Sequence, residues 1–132
     1  MVDSAPPASS AVVAAGDEET RVLLRGLLRL HHFRVDGEAE GATQCLELIR
    51  EHHPTLLVAD VNLAEGSSAT LVGEARRAHP PLRVILVAPA SRPPTLAADK
   101  EKAPDVVLLR PFRIRQFAEA LVPSAAGGPT AA

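Results

Sequence analysis

The segment Leu56-Leu57-Val58-Ala59-Asp60 constrains this chain more than any other. Four consecutive apolar residues without polar alternation read as a strand covered on both faces, the pattern of a central parallel strand. The carboxylate that closes the run then sits at the C-terminal edge of the sheet, where open α/β folds place their chemistry. Val12-Val13-Ala14-Ala15 is a second such run, and it ends on Gly16-Asp17-Glu18-Glu19. Two strands that each deliver acid to the same edge suit a hard cation, which prefers oxygen ligands.

Between these runs the hydrophobic period changes to that of helices. In 18–31, Leu23, Leu27 and Leu30 recur at helical spacing with Leu24 and Leu28 beside them. Ala42, Cys45, Leu46 and Ile49 repeat the spacing in 41–52, and Ile114, Phe117, Ala118 and Leu121 in 113–122. A weaker helix over 69–79 turns Leu71, Val72 and Ala75 inward. Strands are expected at 11–15, 34–38, 56–60, 83–88 and 105–109, with the short, polar 34–38 at a sheet edge. One more helix belongs between the last two strands. Ser91-Arg92-Pro93-Pro94 must precede it, Pro104 closes it and Leu96 is its one strong anchor, so it is expected to be short and mobile. Alternating βα units of this kind imply a five-stranded parallel sheet with right-handed crossovers and helices on both faces, a three-layer α/β/α sandwich.

The chain reads as one domain. At 132 residues it is long enough to bury about two-thirds of its unfolded surface. The Ala/Pro/Ser/Gly-rich stretches 1–10 and 123–132 are expected to be disordered tails around a folded region at 11–122. A net charge of −2 gives no footprint for nucleic acid or an anionic membrane, and three Phe without Trp or Tyr leave little on which bases could stack. No apolar stretch approaches the ~18 residues of a membrane span, and no signal-peptide pattern opens the chain. A single cysteine excludes an internal disulfide. A cytoplasmic protein is expected.

Acids after the first and third strands, with Ala88 and Arg110-Pro111-Phe112 at the ends of the fourth and fifth, give a spacing that resembles the receiver domain of bacterial response regulators. The resemblance covers 11–122. It implies the flavodoxin-like strand order 2-1-3-4-5, and Asp60 as the residue that accepts a phosphoryl group from a histidine kinase or phosphotransfer protein. It further implies a Mg2+ ion held by Asp17, Asp60 and the backbone carbonyl of Asn62, with Arg110 as the cation facing the carboxylate. Magnesium keeps waters, demands near-octahedral oxygen ligation and neutralises charge on a transferring phosphoryl group. A cis bond before Pro111 also follows from the resemblance.

Several positions depart from the family pattern. Gly16 stands where the first of two adjacent acids is usual, with Glu18 a displaced substitute. Ala88, followed by Pro89, removes the switch hydroxyl at the end of the fourth strand. Val107 replaces the aromatic of the fifth strand, and Arg110 replaces a lysine with a larger, planar cation. These departures describe an atypical, partly degenerate receiver in which the usual readout is disabled.

Other residues take plainer readings. His31, His32, His52, His53 and His79 all fall at helix C-termini, on the sheet edge opposite Asp60, where partial positive charge suits the helix dipole. A zinc or nickel site there is the less favoured alternative. Cys45 belongs to the core, Arg76-Arg77 to the solvated surface, and Gly26 suggests a close approach in the middle of its helix.

Two functions compete. The first is a stand-alone phosphoacceptor receiver with no fused output domain, passing its signal by protein contacts. The second is a phosphorylation-independent scaffold whose surface at Leu96, Val107, Phe112, Arg113 and Gln116 binds a partner or a second copy. Asp17, Asp60 and Arg110 favour the first; Ala88 and Val107 favour the second. A flavodoxin-type cofactor site lacks a Gly-rich phosphate cradle after the first strand. No nucleophile–base pair serves a separate substrate, so an enzyme in the ordinary sense is not expected.

Overall fold

The computed structural model describes residues 9–94 and 102–122. Leu96, the core of the expected mobile helix and nearly all of both expected tails lie outside these. Five strands form one all-parallel sheet: β1 (Ser10–Ala14), β2 (Arg34–Ala39), β3 (Leu56–Asp60), β4 (Arg83–Pro89) and β5 (Val106–Arg110). Their order is β2-β1-β3-β4-β5, as the resemblance implied. Four helices are described: α1 (Glu18–Leu30), α2 (Ala42–His52), α3 (Ser68–Ala78) and α4 (Ile114–Leu121).

Every residue of β1 and β3 is buried, which is why these strands carry apolar residues without alternation. Successive side chains still point to opposite faces. Val12, Ala14, Leu57, Ala59, Val84 and Leu86 pack with Leu46, Ile49, Leu71 and Val72 of α2 and α3. Ala11, Val13, Val58, Ile85 and Val87 pack with Leu24, Leu28 and Phe117 of α1 and α4. Each such fully buried aliphatic side chain contributes roughly 1.5–3 kcal/mol against exposure. The result is three layers with a core on each side of the sheet. The polar β2 is an edge strand, as expected, and β5 is the other edge.

The inward face of α1 differs from the expected one. Leu24, Leu27 and Leu28 are buried, whereas Leu23 and Leu30 are 48% and 60% exposed. The run of leucines satisfies helical spacing on two adjacent faces, and docking against β1 selects the one through Leu24 and Leu28. Gly26 also corrects an expectation: a Cβ there would meet nothing within 4 Å, so no close approach explains it.

Candidate functional site

The C-terminal edge of the sheet collects β1, β3, β4 and β5 ends within one region. Asp60 closes β3 and is only 1% exposed. Arg110, at the end of β5, donates from Nη1 to Asp60 Oδ2 at 2.5 Å. The backbone N–H of Asn62 donates to Asp60 Oδ1 at 2.8 Å. Both oxygens of the buried carboxylate are therefore satisfied within the chain, as a buried charge requires.

Asp17 follows β1 and serves as the N-cap of α1. Its Oδ2 accepts from the Thr20 N–H at 2.9 Å and from the Thr20 hydroxyl at 3.0 Å. These bonds, Thr20's backbone first, hold the Asp17 carboxyl below its ordinary range against an opposing cost of desolvation, and Arg21 and then Arg110 add lesser lowering effects. Thr20 also lies 3.4 Å from Arg110 Nη1. Its hydroxyl thus joins the two acids through the guanidinium, a role that sequence reasoning did not assign. The available signal was a hydroxyl three residues after an N-capping Asp. Glu18 is exposed in the first turn of α1, where its charge suits the helix N-terminus.

The loop after β3 is pinned from several sides. Gly16 N–H donates to the Asn62 carbonyl at 2.8 Å, and Ala64 N–H donates to the Glu40 carbonyl at 2.8 Å. Glu65 supplies the cap that Gly41 lacks, accepting from Thr43 N–H of α2 at 2.7 Å. A Cβ on Gly16 would come within 3.0 Å of Ala64 N and 3.2 Å of the Asn62 carbonyl oxygen. The residue type that replaces an acid here is the one that lets this loop lie against β1.

At the neighbouring strand ends, Ala88 is fully buried and Pro89 remains within β4 opposite Arg110. The Ala90 N–H donates to the Arg110 carbonyl, and a cis peptide bond joins Arg110 to Pro111. Val107 is partly buried against the α2 and α3 side of the core. Phe112 packs on Phe117, ring centroids 5.9 Å apart, so it is less available to a partner than its place in the sequence implied. Arg113 and Gln116 are exposed, and the Gln116 side chain accepts from the Arg113 N–H at the start of α4. Leu109 and Ile114, 40% and 59% exposed, add apolar surface beside them.

The histidines lie at the helix ends, as expected. His31, His53 and His79 are C-caps, and His32 and His53 adopt left-handed backbone. His53 and His79 face each other with ring centroids 5.2 Å apart. Among the described residues no group of three or more His, Cys, Asp or Glu is placed to hold a metal ion. Cys45 is fully buried, and burial pushes its thiol up to about 12. No helix of the described residues is long and apolar enough to cross a membrane.

The donors that the resemblance assigned to Mg2+ fit that ion poorly as arranged. Asp60 shares its charge with a guanidinium, the Asn62 carbonyl accepts from Gly16, and Asp17 Oδ2 is committed to Thr20. The acid that usually precedes Asp17 is absent.

The strand order places a buried carboxylate at the end of β3 with a cation from β5 upon it. The chain has the fold of CheY-like receiver domains. The chemotaxis protein CheY of Bacillus subtilis (strain 168) is 23% identical over 101 residues, spanning 76% of this chain and 84% of that protein. The signal receiver domain of the putative response regulator NarL from Mycobacterium tuberculosis shares the fold with a TM-score of 0.75 at 24% identity, covering 88% of this chain and 94% of that one. A CheX–CheY–BeF3–Mg2+ complex from Borrelia burgdorferi matches with a TM-score of 0.73 at 11% identity, covering 85% of each chain. No family model matches the chain.

Proposed function

We propose that this chain is a receiver module of a two-component pathway that acts through protein contacts, its Asp60 site held by Arg110 in one neutralised arrangement. The observation that carries the reading is the Asp60–Arg110 pair, in which a carboxylate 1% exposed has both oxygens satisfied by its own chain. Ala88 supports it, since a buried methyl cannot draw a phosphoryl oxygen and its loop inward. The contact surface is the β5–α4 region, where Arg113 and Gln116 stand exposed beside Leu109 and Ile114. Its occupant is a cytoplasmic protein partner or a second copy of the chain.

A second reading keeps Asp60 as a phosphoacceptor, fed by a histidine kinase or phosphotransfer protein with Mg2+. The position of Asp60 at the C-terminal end of β3, with Asp17 following β1 on the same edge, favours this. So does the Borrelia burgdorferi complex, in which a CheY of this fold is seen with BeF3 and Mg2+.

The test is incubation of the protein with a small acyl phosphate and Mg2+, followed by intact-mass measurement beside Asp60→Asn. Under the proposal neither protein gains a phosphoryl group. A single phosphoryl adduct on the wild type that Asp60→Asn lacks would install the second reading.

A further inference from the structure

We infer that Arg110 fills the electrostatic role of a divalent cation in this receiver, so that Asp60 is neutralised without metal. The inference rests on reading Asp60 as the acceptor position of the fold. A carboxylate buried to 1% exposure stays ionised at least cost when a counter-charge sits on it, supplied by a bound cation or a basic side chain. Here the guanidinium sits on Oδ2 at 2.5 Å.

Three further features act in the same direction. Arg110 contacts both Asp60 and the Thr20 hydroxyl that Asp17 binds, so its charge offsets part of the negative charge that an incoming dication would meet. The Asn62 carbonyl already accepts from Gly16, and a side chain at position 16 would meet the backbone of residues 62–64 at 3.0 to 3.3 Å, so the loop would have to give way to admit an acid there. Arginine stays protonated under all ordinary conditions, so it cannot yield the site by losing its charge. Magnesium at Asp60 Oδ2 would have to share that oxygen with the Arg110 guanidinium or displace it.

The geometry therefore makes a counterintuitive demand: removing the cationic side chain should create a Mg2+ requirement. The experiment is thermal unfolding of the full chain over a range of millimolar Mg2+, for wild type, Arg110→Ala, Arg110→Gln, and Arg110→Gln combined with Asp60→Asn. The wild-type midpoint should not move with Mg2+. Arg110→Gln should unfold at lower temperature and recover progressively as Mg2+ rises, and the added Asp60→Asn should abolish the recovery. If Arg110→Ala is unfolded without metal, refolding on Mg2+ addition is the same result, and Arg110→Gln decides where it does not refold. A wild-type midpoint that rises with Mg2+ overturns the inference. So does indifference of Arg110→Gln to the ion. Neither outcome alters the phosphoryl-adduct result, which tests the functional reading separately.

Discussion

Arg110 reaches from the end of β5 to place Nη1 2.5 Å from Oδ2 of Asp60, whose side chain is 2% exposed against 26% for the arginine. The pair is asymmetric, because the carboxylate depends on its partner while the guanidinium retains access to water. Breaking such a pair from the exposed side leaves an uncompensated buried charge, which costs about 3 kcal/mol. Arg110→Ala should lose stability on that scale in urea unfolding, and Arg110→Lys should lose less because the charge remains. Equal losses for the two variants would show that packing, not charge, is the contribution.

Gly16 sets how closely the loop after β3 approaches β1. A Cβ at this position would meet backbone atoms of Ala64 and Asn62 at 3.0 and 3.2 Å, and backbone yields less readily than a side chain. Gly16→Ala should therefore destabilise by about 1–3 kcal/mol, the range for overpacking a tight contact. The amide resonances of residues 62–64 should shift with it. A stability equal to wild type, with those resonances unmoved, would mean that the loop has room.

Asp17 ties acid stability to the start of α1. Its folded carboxyl titrates below the ordinary value of 3.8, so its contribution is complete above that value and is lost as pH falls through the lower, folded one. Asp17→Ala should lower the unfolding midpoint at neutral pH and converge on wild type in strong acid. Asp17→Asn, which can still accept from Thr20, should fall between the two at neutral pH. A gap between wild type and Asp17→Ala that stays constant down to acid would show that the charge of Asp17 is not what stabilises the helix start.

Gly26 offers the opposite kind of test. It is exposed in the middle of α1, and a Cβ added there would have no neighbour within 4 Å, so alanine should gain helix propensity without a clash. Gly26→Ala is expected to stabilise by about 1 kcal/mol in urea or thermal unfolding. Destabilisation would reveal a contact that the fold of the single chain does not contain.

The sheet was legible because its central strands are buried on both sides, leaving Val12-Val13-Ala14-Ala15 and Leu56–Asp60 as unbroken apolar runs. The face of α1 was not. Leu23 and Leu30 match the helical period as well as Leu24 and Leu28 do, and only packing against the sheet separates them. At the site, Asp60 and Arg110 could be paired from their places at strand ends. Thr20 could not be found that way, because its hydroxyl matters through a tertiary contact with Arg110. Glu65 escaped for the same reason: it caps α2 from a loop 22 positions further along the chain.

The most direct measurement is an amide NMR titration of the isotope-labelled protein, first with Mg2+ and then with beryllofluoride. Asn62, Gly16 and Thr20 are the reporters, because each is bonded to an acid of the site or to its loop. With Arg110 holding Asp60, their resonances should stay in place through both additions. Saturable shifts at these three residues, absent in Asp60→Asn and spreading to Phe112, would contradict the account and establish a metal-dependent phosphoacceptor site.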